Sequence, residues 1–294
     1  VGDPRVVALG GGHGLAHALT AIRSYAGELT AIVSVADDGG SSGRLRRDLQ
    51  VAAPGDLRKC LVALAGDDGP WVEAFEHRFR SGELAGHALG NLVLVGLTES
   101  LGDLTKALDE AGRLVHAVGR VLPATTDPVT IEATVGGREV AGQVAIMEAG
   151  RDARITNLRL SPAEAPAPDA ALAAIAAADQ IVLAPGSLFT SIVAVLCVPS
   201  IREGIANAPG RVVQVCNLDT EAETTGLDGT DHLRAVLDHG GRVDTFLYDR
   251  DVGLQVDDVA VRALGVSPAP ANIADGTGPA HDHDELAKAL GALL

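Results

Sequence analysis

Ten residues near the N-terminus, Asp37-Asp38-Gly39-Gly40-Ser41-Ser42-Gly43-Arg44-Leu45-Arg46, combine two carboxylates, three glycines, two hydroxyls and two arginines. Carboxylates suit a hard cation, while arginines and freed backbone N–H groups suit phosphate. Gly, Ser and Asp also make ordinary solvated loops, so composition alone leaves that plainer reading open. Just downstream, Ala53-Pro54-Gly55-Asp56-Leu57-Arg58 is punctuated like a helix start. Arg44, Arg46, Arg47 and Arg58 concentrate positive charge here, although the chain as a whole carries a net charge of −16.

Two other loops have the composition of anion sites. Gly10-Gly11-Gly12-His13-Gly14 ends the β-branched run Arg5–Leu9 and leads into a helical pattern from about Leu15. Pro185-Gly186-Ser187 ends the run Gln180–Ala184 in the same way. Each offers backbone N–H groups at a helix N-terminus, a natural anion site. The glycines do not spell the dinucleotide fingerprint: counted from Gly10 and Gly12 the third falls at Leu15, and from Gly12 and Gly14 it falls at His17. A tight turn explains one such loop; two at one sheet edge favour a ligand crevice. His13 stands in the first loop, where histidine seldom serves packing.

Ser187, Thr190 and Ser191 suit phosphate or sugar oxygens, and equally suit helix caps and back-bonded hydroxyls. Asn217, Asp219 and Thr220 follow the run Arg211–Cys216 and are candidates for base or sugar contacts. His87 and Asn91, four apart, share a helix face as site residues or as a polar stripe. His232 and His239 read as solvent-facing on a surface helix. No nucleophile elbow, P-loop or HExxH pattern is present.

The elements that must position these groups alternate. Strand, glycine loop, helix and a second strand over about Leu29–Val35 make a βαβ unit, which implies a parallel sheet with a right-handed crossover. Helices dominate from about Asp56 to Val118. Residues 120–160 change character: Val129–Val135 alternates with period two and Gly136-Gly137 turns it back, which predicts an antiparallel β excursion. Pro162–Asp169 reads as a linker. The α/β alternation then resumes, with strands at Gln180–Ala184, Arg211–Cys216 and Val243–Tyr248. The tail Pro268–Gly278 reads as a surface loop before a terminal helix. The fold expected is α/β and Rossmann-like: one domain over 1–294, a mostly parallel sheet with helices on both faces, and a small antiparallel β insertion.

Composition narrows the function classes. The 294 residues are 47% hydrophobic and 21% charged, ample for a large core. Aromatics make up only 2%, which argues against stacking platforms for single-stranded nucleic acid. With 39 acidic against 23 basic residues, a polyanion is repelled over most of the surface, so no nucleic-acid partner is expected. Cys60, Cys197 and Cys216 sit in apolar segments without CxxC spacing, as in reduced cytoplasmic proteins, and support no zinc site. No apolar run approaches the ~18–20 residues of a membrane span, and the first residues do not read as a secretory signal.

Taken together, these segments resemble the YvcK proteins, or gluconeogenesis factors, within the superfamily of the CofD 2-phospho-L-lactate transferases. The matching pieces are Gly10–Leu15, the Thr30–Arg46 block, Pro54–Leu61, Gly86-His87 with Gly90-Asn91-Leu92, Ala184–Ser191, and Asn217-Leu218 followed by Asp231-His232-Leu233. The resemblance implies a nucleotide ligand contacted by Gly11, Gly12, His13, Gly14, Asp37, Asp38, Ser41, Ser42, Arg44, Asp56, Arg58, His87, Asn91, Gly186, Ser187, Thr190 and Asn217. It also implies a Mg²⁺ site beginning at Asp37 or Asp38. His13 stands where Thr is common in the family, and Asp219–Thr225 departs from relatives that carry Gln and Gly near its middle.

Two functions follow from that resemblance. The first is a cytoplasmic regulator that binds UDP-N-acetylglucosamine-like nucleotide sugars and links carbon metabolism to cell shape and wall synthesis. Its diphosphate would lie across the Gly10–Gly14 and Gly186–Ser187 loops with Arg44 or Arg58 neutralising it, and its expected partners are cell-wall synthesis proteins and a second copy of the chain. The second is a metal-dependent transferase of a phospholactyl group, with Asp38 holding Mg²⁺. A nicotinamide oxidoreductase fits less well, because the third glycine is missing and the acid lies about 26 residues after Gly12 inside a Ser/Gly/Arg loop.

Overall fold

The computed structural model describes residues 3–276 and 280–294. Its strands are β1 (Arg5–Gly10), β2 (Glu28–Val33), β3 (Arg120–Pro123), β4 (Thr130–Val135), β5 (Arg138–Ala141), β6 (Ile155–Ser161), β7 (Gln180–Leu183), β8 (Arg211–Val215), β9 (Thr245–Asp249) and β10 (Ser267–Ala271). Seven of them form one sheet in the order β10-β9-β8-β7-β1-β2-β3, and every pairing in it is parallel. Val6–Leu9, Ala31–Val33, Ile181–Leu183 and Val212–Val213 are buried through consecutive positions, as strands covered by helices on both faces must be. The helix Gly12–Ile22 lays Leu15, Ala18, Leu19 and Ile22 into this core.

The order of the strands fixes where a ligand can sit. From β1 the chain moves outward to β2 and β3, then returns to β7 and proceeds in the opposite direction to β10. β1 and β7 are therefore the neighbours at which winding reverses, and the loops that follow them border a crevice at the carboxyl edge.

The antiparallel sheet, β5-β4-β6, is narrower than the expected 120–160 excursion. Arg120–Pro123 pairs in parallel with β2 instead. Val121 and Leu122 are both buried, the mark of a two-sided strand, whereas alternation begins only at Thr130. The helix Gln143–Gly150 interrupts the same excursion.

The tail also differs from the expected loop. Ser267–Ala271 is an edge strand on β9, with Pro268 opposite Phe246 and Pro270 opposite Tyr248. Ser267 N donates to Asp244 O at 3.0 Å, so the nitrogens of the two alternating prolines fall on the outer edge, where no ladder donor is needed. Gly278 lies outside the described residues. The terminal helix is present at His283–Gly291. Among the described residues no single helix is long and apolar enough to cross a membrane.

Candidate functional site

The first loop is shaped by glycine and left open. Gly12 has φ +62, a left-handed conformation that favours glycine. A Cβ on Gly14 would stand 2.1 Å from the Pro185 carbonyl oxygen, so the loops after β1 and β7 meet only because this side chain is missing. Gly11, at the N-cap of the helix Gly12–Ile22, contributes no side-chain cap, and the first turn holds no acid. The N–H groups of that turn therefore have no capping side chain. Exposed His13 stands there with its pKa lowered, first by the positive charge of Lys59, then by burial and by Arg58 and Arg78, with Asp56 opposing. Lys59 Nζ pairs with Asp56 Oδ1 at 3.0 Å beneath the loop. Cations thus gather around a helix N-terminus whose dipole is also positive.

The second loop is closed by its own chain. Asn217 accepts from Gly186 N at 2.8 Å and donates back to Gly186 O at 2.9 Å. Ser187 Oγ donates to Glu221 Oε2 at 2.8 Å. Behind it runs a π-helix, Leu188–Val193, whose leading N–H groups at Phe189 and Thr190 donate to Glu223 Oε1 at 2.8 and 3.4 Å. Burial pushes the Glu223 carboxyl up to about 7. Carboxylates hold this N-terminus, and the side chains of Asn217 and Ser187 bond within the loop. Glu221 and Glu223 carry no sequence signal for this role: nothing in their spacing connects them to a helix start more than thirty positions earlier.

The Asp/Gly/Ser/Arg block divides between two duties. From Gly40 it is helical, through Leu49, and a Cβ on Gly43 would stand 1.8 Å from Asp38 O. Asp38 accepts from Gln143 N at 2.9 Å and Val144 N at 3.0 Å, so both its oxygens cap the helix Gln143–Gly150 of the insertion. Arg46 donates to Ala36 O at 3.1 Å and Asp37 O at 3.3 Å, and also to Val129 O. Arg44 donates to Ala85 O at 2.9 Å. Ser41 Oγ meets His87 Nδ1 at 3.0 Å and accepts from Asn91 at 3.1 Å. His87 precedes the helix Leu89–Leu101 rather than lying on it, yet both residues still converge on Ser41.

Asp37 turns the other way. Its pKa is raised, first by burial and then by Asp56, while Gly39 N donates to it at 3.0 Å and the Ser42 hydroxyl also steadies it. Among the described residues no three His, Cys, Asp or Glu side chains converge as a metal cage. Asp56, whose charge helps raise Asp37, has its Oδ1 paired with Lys59 Nζ. Arg58 is 5% exposed, donates to Phe75 O at 3.3 Å, and leaves its Nε without a partner.

A crevice of about 380 Å³ opens at the β1/β7 reversal, lined by His13, His17, Gly186, Asp219, Glu221 and His281 among others. A separate groove of about 810 Å³ runs between the helices Gly40–Leu49 and Gln143–Gly150, with Asp38, Arg46 and Arg47 on its walls. The sequence-selected residues are therefore not one cluster. His232 and His239 are not solvent-facing either. His232 is buried beside Leu233 and Val236, and its pKa is pushed down to about 4 by burial. His239 is half-buried, with Nδ1 2.7 Å from Ala235 O.

A family model described as 2-phospho-L-lactate transferase CofD matches residues 6–270. The gluconeogenesis factor of Halalkalibacterium halodurans is 40% identical over 265 residues, covering 89% of this chain and 78% of its own. That of Bacillus subtilis is 41% identical over 254 residues, with 84% and 79% covered. The crystal structure of a UPF0052-family protein from Bacillus halodurans, 35% identical, superposes with a TM-score of 0.94 over 99% of both chains. The chain spans about half the length, 51%, of the relatives from Nostoc and Deinococcus radiodurans. The chain belongs to the CofD family and, within it, to the gluconeogenesis factors, the YvcK proteins.

Proposed function

We propose that this protein is a cytoplasmic nucleotide-sugar-binding regulator, taking UDP-N-acetylglucosamine-like ligands at the β1/β7 crevice and linking carbon metabolism to cell shape and wall synthesis. The observation that carries the reading is the uncapped start of the helix Gly12–Ile22 with Lys59, Arg58 and Arg78 within electrostatic reach of His13. In a chain of net charge −16, such a cluster favours a small phosphorylated ligand over a polyanion. The diphosphate sits on the first-turn N–H groups beside Lys59. The hydroxyl-rich part of the ligand runs toward Asp219, where a further phosphate would be repelled. The links to gluconeogenic carbon flow and wall-synthesis partners draw on the relatives' designation and on the family resemblance.

The carboxylate pair Asp37 and Asp56 favours a second reading, a CofD-like transferase. Mg²⁺ held there would neutralise phosphate charge, while Lys59 and the helix N-terminus position the donor. Thermal unfolding with UDP-N-acetylglucosamine, UDP-glucose, GDP and NAD, each with and without Mg²⁺, separates the two. Binding at ~100 times Kd stabilises by roughly 2.7 kcal/mol, a shift of several degrees. A metal-independent response confined to UDP-sugars supports the regulator. A metal-dependent response to GDP supports the transferase, and no response to any nucleotide contradicts both.

A further inference from the structure

One wall of the crevice is supplied by the segment Ala280–His283, which joins a short antiparallel bridge (Ala274 with His281) to the C-terminal helix. Three histidines hold it. His281 Nε2 lies 3.1 Å from Cys216 O, His17 Nε2 lies 2.5 Å from His281 O, and His283 Nε2 lies 3.0 Å from His17 Nδ1. The rings of His17 and His283 overlap at 3.8 Å between centroids.

Each contact dictates a tautomer. Carbonyl oxygens only accept, so His281 and His17 both carry their proton on Nε2. A neutral His17 then presents a bare Nδ1, and His283 must donate to it from Nε2. The result is a directed chain, His283 to His17 to the 281 carbonyl, with His281 donating onward to the end of β8. Cys216 adjoins Asn217, the residue that clamps Gly186, so the chain ends on the crevice's own loop.

We infer that Ala280–His283 is a crevice wall latched by this ordered histidine chain, and that it releases when the His17–His283 pair takes up a second proton. A first proton on His283 Nδ1 leaves that contact donating; the second, on His17 Nδ1, puts N–H groups on both sides of the 3.0 Å contact and makes both stacked rings cations, and the contact breaks. Burial holds His281 down to about 4, with Asp249 opposing, so its bond to Cys216 survives longer. Around His283, burial, His17 and Arg23 disfavour the charge while Asp282 and Asp284 favour it. His13 lies one turn before His17, and Asp219 and Glu221 face the segment across the crevice. The inference concerns the fold itself and stands whether or not a nucleotide sugar is the ligand.

Hydrogen–deuterium exchange of the full chain, corrected for intrinsic rates, tests it between about pH 7.5 and pH 5.5. Protection over 280–283 should fall about ten-fold on acidification while β1 and β2 keep theirs. His283→Phe keeps the ring stack and removes the donor: its segment should exchange faster at the higher pH and lose most of the pH response. Unchanged protection in the wild type, or an equal response in His283→Phe, overturns the latch. Nitrogen-15 spectra of the wild-type histidines give a test independent of the variant. His17 protonated on Nε2 and bare on Nδ1 near neutral pH is the expected result, and the opposite tautomer overturns it.

Discussion

The loops after β1 and β7 are built alike and finished differently. Each ends a buried parallel strand, turns on glycine and opens a helix, and the two touch through Gly14 and Pro185. After β7, Asn217, Glu221 and Glu223 occupy the loop and the helix N-terminus. After β1, no side chain caps the helix; Lys59, Arg58 and Arg78 lie nearby, and the Asp56 carboxylate beside Gly11 is paired with Lys59. One helix start is capped by the protein's own carboxylate; the other carries no side-chain cap. Strand–glycine–helix wording therefore marks where an anion site can form, and an internal carboxylate bonded to the first N–H groups closes it.

The largest effect expected from breaking this pairing is at the point of contact. Gly14→Ala drives a Cβ toward backbone, and should cost about 3 kcal/mol and lower the melting temperature by roughly 6 °C or more. Gly40→Ala has φ +46 but meets nothing within 4 Å, so it should cost only about 1 kcal/mol, measured in the same melt.

Glu223→Gln sharpens the comparison on the closed side. A carboxyl raised from 4.5 to about 7 binds its proton more tightly in the folded state. Its stabilising contribution is complete below the unfolded value and lost as pH rises through about 7. The variant should therefore match wild type near pH 4.5 and exceed its stability by about 1–3 kcal/mol near pH 8, read by denaturant melts at both. Equal stability of the two proteins near pH 8 would mean that the buried carboxylate carries no penalty. Asp38→Ala, which uncaps the helix Gln143–Gly150, should cost about 1 kcal/mol and leave nucleotide affinity unchanged.

Much of this frame was legible in the residues. Val6–Leu9 running into glycine, and the same pattern at Ile181–Leu183, announced parallel strands with loops at one edge. Ser41, His87 and Asn91 were each identifiable, though their mutual contact was not. Pairings across long sequence separations left no trace: Asp38 caps a helix 105 and 106 positions away, and Glu223 caps one 34 and 33 positions before it. An acid in a polar stretch looks the same whether it faces water or a helix end. Short elements were absorbed by their neighbours. Arg120–Pro123 has four residues, too few to show two-sided burial, and the alternation beginning at Thr130 dominated the reading. His232 was misplaced because a lone histidine on a polar helix suggests solvent, although Leu233 and Val236 turn that face inward.

On the proposed reading the anion binds at the β1 loop and not at the β7 loop. Calorimetric titration of UDP-N-acetylglucosamine into wild type, Lys59→Gln and Glu221→Gln tests it most directly. Losing a charge-assisted contact at the open loop should weaken binding about 10- to 100-fold in Lys59→Gln, while Glu221→Gln should stay within about three-fold of wild type. Wild-type affinity in Lys59→Gln, or a collapse of binding confined to Glu221→Gln, would contradict the assignment.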